Sequence, residues 1–249
     1  ELRGRAPASL EELQRALGGR FGASEVAEAV LELQGLQIVA DAGSAPADLR
    51  HGPVTRFPLT TVVLNVNTGC NLSCSYCYKE DLATPANGRK MGFDTARQSI
   101  EMLLAESPDE RSYNIVFFGG EPLTNLALIR QVVDYAEARF AALGKRVLFS
   151  LTTNATLLDE ATIDWLDAHR FGIAVSIDGP KAVHDRNRLT VGGQGSYETV
   201  ARKVRLLLAT YRSRPVGARV TLTHGTTDVT GIWDHLFNEL GFAEVGFAP

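Results

Sequence analysis

Six short β-rich runs, each separated from the next by a stretch with helical spacing, limit what this chain can fold into. The runs are residues 61–66, 114–118, 147–151, 173–177, 219–223 and 244–247. The intervening helices fall near 94–106, 125–143, 159–169, 197–211 and 232–240. Strands joined by single helices pair in parallel through right-handed crossovers. The pattern predicts an α/β fold, a partial (β/α)6 barrel of TIM type. No GxGxxG follows the first run, which argues against a doubly wound dinucleotide-binding sheet. Barrels of this kind carry their chemistry at the C-terminal ends of the strands. The residues just after each run are therefore the informative ones.

Residues 1–45 read differently. Ser9 and Glu12 form a capping box ahead of Leu10, Leu13 and Leu17. Gly18 and Gly19 stop that helix. Ser24 is placed to cap a second helix ending at Gly35, and residues 36–40 read as a short strand. Helix, turn, helix and strand outline a small winged-helix-like domain suited to holding a peptide at the strand edge. The second helix carries Glu25, Glu28 and Glu32 and no Lys or Arg, so it would repel phosphates. Residues 46–59, with Pro46, Pro53 and Pro58, read as a linker to a barrel over 60–249.

Composition removes several classes. Twenty-five Lys and Arg against 29 Asp and Glu give a net charge of −4, without the basic surplus of a nucleic-acid binder. No apolar run approaches the roughly 18 residues of a membrane span, and no secretory leader opens the chain. A cytoplasmic protein is expected.

All three cysteines, Cys70, Cys74 and Cys77, fall within eight residues, directly after the first strand. A disulfide framework would spread them out, whereas one metal centre gathers its ligands on one loop. The spacing C-x3-C-x2-C can ligate three irons of a 4Fe–4S cluster and leave the fourth open. The competing reading is a Cys3His zinc site completed by His51. Polar residues end the following strands: Gly119-Gly120-Glu121-Pro122, Thr152-Thr153-Asn154 and Ser176-Ile177-Asp178-Gly179-Pro180, then His184-Asp185-Arg186-Asn187-Arg188. Singly, each has a plain explanation, such as a tight turn with Pro122 in its first turn, a helix cap at Asn154, or a hydrogen-bonded loop pair at His184-Asp185. Their conjunction, in order and each at a strand end, carries the case.

Over residues 60–249 the sequence resembles the radical S-adenosylmethionine (SAM) superfamily. Its signature is C-x3-C-x-Φ-C with an aromatic Φ, here Tyr76, and the GGEP and HDxxR elements match as well. The resemblance implies a 4Fe–4S cluster on Cys70, Cys74 and Cys77, with SAM on the open iron. It implies SAM contacts from Tyr76, Gly119, Gly120, Glu121, Pro122, Asn154, Ser176, Asp178 and Arg188. Glu121 would take the amino group, Arg188 the carboxylate, Asn154 and Ser176 other polar parts, and Tyr76 would lie by the adenine. It also implies reductive cleavage of SAM to a 5′-deoxyadenosyl radical and a flavodoxin- or ferredoxin-type electron donor. The sequence names no catalytic base.

The stretches CNLSCSYCY, FFGGEPL and SIDGPKAVHDRNR are most similar to the SPASM-type branch that modifies peptides and proteins. Within it the chain resembles the maturases of quinohemoprotein amine dehydrogenase, which form Cys-to-Asp/Glu thioether crosslinks. Anaerobic sulfatase (formylglycine) maturases are the nearest enzymatic rival, and a non-catalytic zinc or iron–sulfur winged-helix regulator is the rival from another class. The branch carries auxiliary iron–sulfur clusters in a C-terminal SPASM domain. No cysteine follows Cys77, so that domain is expected to be absent from these residues.

Overall fold

The six runs form one parallel sheet in the order β1-β2-β3-β4-β5-β6. The strands are β1 Thr61–Asn67, β2 Ser112–Gly119, β3 Arg146–Thr153, β4 Gly172–Ser176, β5 Val216–Thr221 and β6 Glu244–Ala248. The computed structural model describes residues 8–35, 38–40, 57–78 and 85–249. It divides into two compact units, Glu1–Phe57 and Pro58–Pro249.

Within the second unit each strand pairs only with its chain neighbours, so the sheet is open, a partial barrel as expected. One face of the strands packs on the crossover helices. These are α3 Phe93–Glu106, α4 Leu126–Ala142, α5 Glu160–Ala168, α6 Lys181–Asn187, α7 Tyr197–Thr210 and α8 Val229–Asp234. The alternation explains the packing. Tyr113, Ile115 and Phe117 of β2 are fully buried beneath the helices, while Asn114, Val116 and Phe118 point to the other face and are half-buried. Phe117, Phe149 and Phe171 stack at 5.5–6.3 Å between ring centroids at the centre of this core.

Some boundaries differ from the sequence reading. β5 starts three residues earlier than expected. Gly217 argues against a strand by propensity, yet it lies inside β5, paired with Ala174 of β4 and Glu244 of β6. The expected helix 232–240 is α8 followed by a π-helical turn, His235–Glu239. The His184 segment is the helix α6 rather than a loop.

In the first unit α1 Leu10–Leu17 carries the expected capping box, with Glu12 N donating to Ser9 Oγ and Ser9 N to Glu12 Oε2. Helix α2, Ala23–Gly35, begins ahead of Ser24. Glu25 Oε2 accepts from Gly22 N at 2.7 Å, so the carboxylate takes the capping role. The expected strand at 36–40 does not form at its described residues. The Ile38 amide donates to Leu33 O at 2.9 Å, and Val39 N lies 3.4 Å from the same oxygen, folding this segment back on the helix end. Leu36 and Gln37 lie outside the described residues, as do 41–56, which hold most of the expected linker and His51. Among the described residues no helix is long and apolar enough to cross a membrane.

Candidate functional site

A cavity of about 680 Å³ opens at the C-terminal ends of the strands. It is lined by Cys70, Cys74, Cys77 and Tyr76 after β1, Gly119 and Gly120 at the end of β2, Asn154 after β3, Ser176 at the end of β4, and Arg188 after α6. Nine of the twelve residues singled out by sequence thus share one wall. The other three, Glu121, Pro122 and Asp178, stand behind it.

The cysteine loop is held from two sides. On one, Leu72 bridges Thr190 antiparallel, and Ser73 N and Ser75 N donate to Leu189 O and Asn187 O at 2.7 and 3.0 Å. On the other, Asn154 Nδ2 donates to Asn71 Oδ1 at 2.9 Å, and Asn71 Nδ2 to Thr156 Oγ1 at 2.7 Å. Asn154 Nδ2 also lies 3.7 Å from Cys70 Sγ, and Leu72 N 3.4 Å from it, both weak donors to sulfur. Ala155, buried after Asn154, adopts φ 61°, a strained non-glycine conformation that turns Asn154 toward the loop.

Glycine is obligatory at position 119. Its φ is +143°, and a Cβ would fall 2.3 Å from Asn67 O. This close approach lets Gly120 N donate to Asn67 O at 2.7 Å and Glu121 N to Gly69 O at 3.1 Å, seating the turn against the cysteine loop. The Glu121 side chain departs from its expected role. Its carboxylate is 1% exposed and turned inward. Oε1 accepts from Leu123 N at 3.0 Å and Thr153 Oγ1 at 2.8 Å, and Oε2 from Asn154 N at 2.7 Å. It ties the end of β2 to the end of β3 and caps the short 3-10 turn Pro122–Asn125, where Pro122 occupies the first turn.

Arg188 is 7% exposed, with Asp178 Oδ2 3.0 Å from its Nε. This is an ion pair by distance, although the N–H is not aligned for a hydrogen bond. Its guanidinium lies 5.3 Å from the Tyr76 ring centroid, and Tyr76 donates to Asp178 Oδ2 at 2.5 Å. Burial works against the Arg188 charge, but Asp178 and the neighbouring Tyr76 and Cys74 outweigh it and hold its pKa above the usual value. Burial pushes the Cys74 thiol up to about 11, opposed chiefly by Arg188. It also pushes up the Tyr76 hydroxyl, so Tyr76 remains a donor to Asp178.

Behind the pair runs a chain of bonds that sequence reading missed. Asp178 N donates to His184 Nδ1 at 3.3 Å, His184 Nε2 meets Ser196 Oγ at 2.9 Å, and Ser196 Oγ donates to Arg188 O at 2.7 Å. Because Nδ1 accepts, the proton sits on Nε2. Burial, with Arg188 nearby, lowers the His184 pKa to about 4 and keeps the ring neutral. The expected His184–Asp185 pair is not formed, and Ser196, which precedes α7, makes no side-chain cap bond to it. Asp185 Oδ1 accepts from Tyr197 N at 2.8 Å and supplies that acceptor.

Three thiols on one loop beside one cavity suit an iron–sulfur cluster. The rival zinc site needs His51, which lies outside the described residues.

Barrel, cysteine loop and cavity define a class. Residues 64–230, more than half the chain, match the radical SAM superfamily, and the chain belongs to it. It is 29% identical over 153 residues to a cysteine-type anaerobic sulfatase-maturating enzyme of Clostridium perfringens, covering 60% of this chain and 40% of that protein. It is 32% identical over 157 residues to a serine-type anaerobic sulfatase-maturating enzyme of Klebsiella aerogenes, covering 62% and 38%. The solved structure of native anSMEcpe with bound AdoMet and Cp18Cys peptide aligns with a TM-score of 0.65 at 25% identity, over 75% of this chain and 49% of that one. The chain thus spans about two fifths of the length of these curated relatives.

Proposed function

We propose that this chain is the catalytic core of a radical SAM enzyme that modifies a residue of a polypeptide, as the sulfatase-maturating relatives do. The observation that carries this reading is the shared cavity: three thiols, the Gly119–Gly120 turn, Asn154, Ser176 and Arg188 converge on one space. Cys70, Cys74 and Cys77 would hold a 4Fe–4S cluster, and the cavity wall would hold SAM. Once bound and given one electron by an external donor, these groups would supply hydrogen-atom abstraction from the substrate. Arg188, held by Asp178 and Tyr76, would meet the cofactor's carboxylate with a charge-assisted contact. Gly119 and Gly120 give backbone access, and Asn154 and Ser176 offer hydrogen bonds beside it. Asn71, Asn154 and Thr156 keep the cysteine loop fixed to the end of β3.

The curated relatives favour a formylglycine-type maturase over the thioether-forming reading of the sequence. The two differ in product. Oxidation of a Cys or Ser side chain leaves an aldehyde, and crosslinking leaves a thioether without one. Peptide mass spectrometry after turnover separates them.

The test of the core reading is anaerobic reconstitution. About four irons per chain and a brown chromophore are expected, together with 5′-deoxyadenosine formation from SAM and dithionite. Cys70→Ala, Cys74→Ala and Cys77→Ala each abolish both. One equivalent of zinc without iron overturns the reading.

A further inference from the structure

Among the described residues two charged side chains line the cavity, Arg188 and Arg219, and no Asp or Glu does. Arg188 is met by Asp178 at 3.0 Å. Arg219 is exposed, and among the described residues its side chain has no ion pair or hydrogen bond. It is one of the residues the sequence reading assigned no role.

Arg219 pairs with Ser176 on β4 and with Gly246 on β6, and its carbonyl accepts from Ile177 N at 3.1 Å. Gly246 leaves space on one flank, because a Cβ there would meet nothing nearer than 3.8 Å. Thr221, two residues further on, shares the same face, and its amide donates to Asp178 Oδ1 at 3.1 Å. The Arg219 backbone therefore sits one same-face step, about 6.6 Å, before the Thr221 amide that Asp178 holds. The wall across the cavity at Val63, Val116, Phe118 and Thr152 offers no charge.

In the open cavity water solvates the Arg219 guanidinium. A polypeptide bound there displaces that water, and the cation then requires an anion. No described lining residue supplies one, and a carboxylate on the ligand meets the requirement. We propose that Arg219 is a specificity-determining residue that receives a substrate carboxylate, the side chain of an Asp or Glu close in sequence to the modified residue. A guanidinium fork pairs with a carboxylate through two parallel hydrogen bonds. This rests on the proposed function and deepens it by naming the substrate class.

The test uses the full, cluster-loaded chain as wild type, Arg219→Gln, Arg219→Lys and Arg188→Ala. Iron content and SAM titration by calorimetry report the proposed function independently. If neither cluster nor SAM binds, the core reading has failed and the present one falls with it. With both bound, a display library of nine-residue peptides centred on Cys or Ser is selected on the SAM-loaded protein. Wild type is expected to enrich Asp or Glu at one fixed offset from the centre, and Arg219→Gln to lose that enrichment. Arg219→Lys retains it in part. For a selected peptide, changing the acid to its amide is expected to weaken binding to wild type by about 10-fold or more, and much less to Arg219→Gln. No acidic enrichment by wild type, or the same enrichment by Arg219→Gln, overturns the proposal. So does a loss of SAM affinity in Arg219→Gln as large as in Arg188→Ala, which would assign Arg219 to the cofactor carboxylate.

Discussion

A guanidinium with 7% exposure persists only where its charge is met, and at Arg188 it is Asp178 that meets it. Removing that anion leaves a buried cation alone. Asp178→Asn is expected to destabilise the folded chain by about 3–5 kcal/mol, read as a lower urea midpoint. Arg188→Ala is expected to weaken SAM binding about 10- to 100-fold by calorimetry, the worth of one charge-assisted contact. Gly119→Ala is a backbone test of the same wall. The φ of +143° and the 2.3 Å approach to Asn67 O leave no room for a methyl group. SAM binding should be lost even where circular dichroism shows the fold retained. The cysteines, the two glycines, Asn154 and Ser176 were legible because each stands at or just after a strand end in a recognisable motif, and Arg188 because it closes the HDxxR element after α6. Glu121 was legible as important but not as inward-facing, since sequence does not say which amides a carboxylate will collect. Arg219 and Thr221 were not legible as site residues. Both read only as parts of a strand, and it takes the pairing of β4 with β5 to set Arg219 beside Ser176.

Helix α6 has no legible signal of its own, because seven residues are too few to show a helical period. Its role depends on contacts distant in sequence, with the cysteine loop on one side and Ser196 on the other. His184 makes that role measurable. Its folded pKa, about 4, lies below the unfolded value near 6.5, so the unfolded chain binds the extra proton as pH falls through that window. Stability is full above pH 6.5 and declines toward pH 4, by roughly 3 kcal/mol at the lower end. Lys181 and Arg188 oppose protonation of the ring, while Asp178 and Asp185 favour it without reversing the shift. Carboxylates with lowered pKa, such as Glu101 at about 2, lose their contribution only below their unfolded values near 4.5. Between pH 4.5 and 6.5 the histidine therefore dominates. Urea unfolding of the apo chain at pH 7, 6 and 5 should show a falling midpoint, and His184→Gln should flatten the slope. An unchanged slope in that variant would assign the pH dependence elsewhere.

At the scale of the whole molecule, the alternation of strands and helices made the barrel legible, because period and order alone fix parallel pairing and the end at which residues converge. The N-terminal unit was less legible. Its two helices were marked by the Ser9 capping box and by glycines, but the expected strand at 36–40 rested on five apolar-leaning residues with no sheet to join among the described residues of that unit. At Ile38 and Val39 the amides turn to Leu33 O instead. The two units also differ in what holds them. Every described buried hydrophobic residue except Val26, and every residue lining the cavity, lies in 58–249. Helices of 8 and 13 residues with one buried side chain are marginal in water on their own. A chain reduced to residues 58–249 is therefore expected to unfold cooperatively with nearly the urea midpoint of the whole, to take up about four irons and to bind SAM as tightly. A peptide of residues 1–57 is expected to show only partial helicity by circular dichroism, and Ser9→Ala should reduce it further. If the shortened chain loses cooperative unfolding or SAM binding, the barrel depends on the first unit and the division at Phe57 is not one of stability.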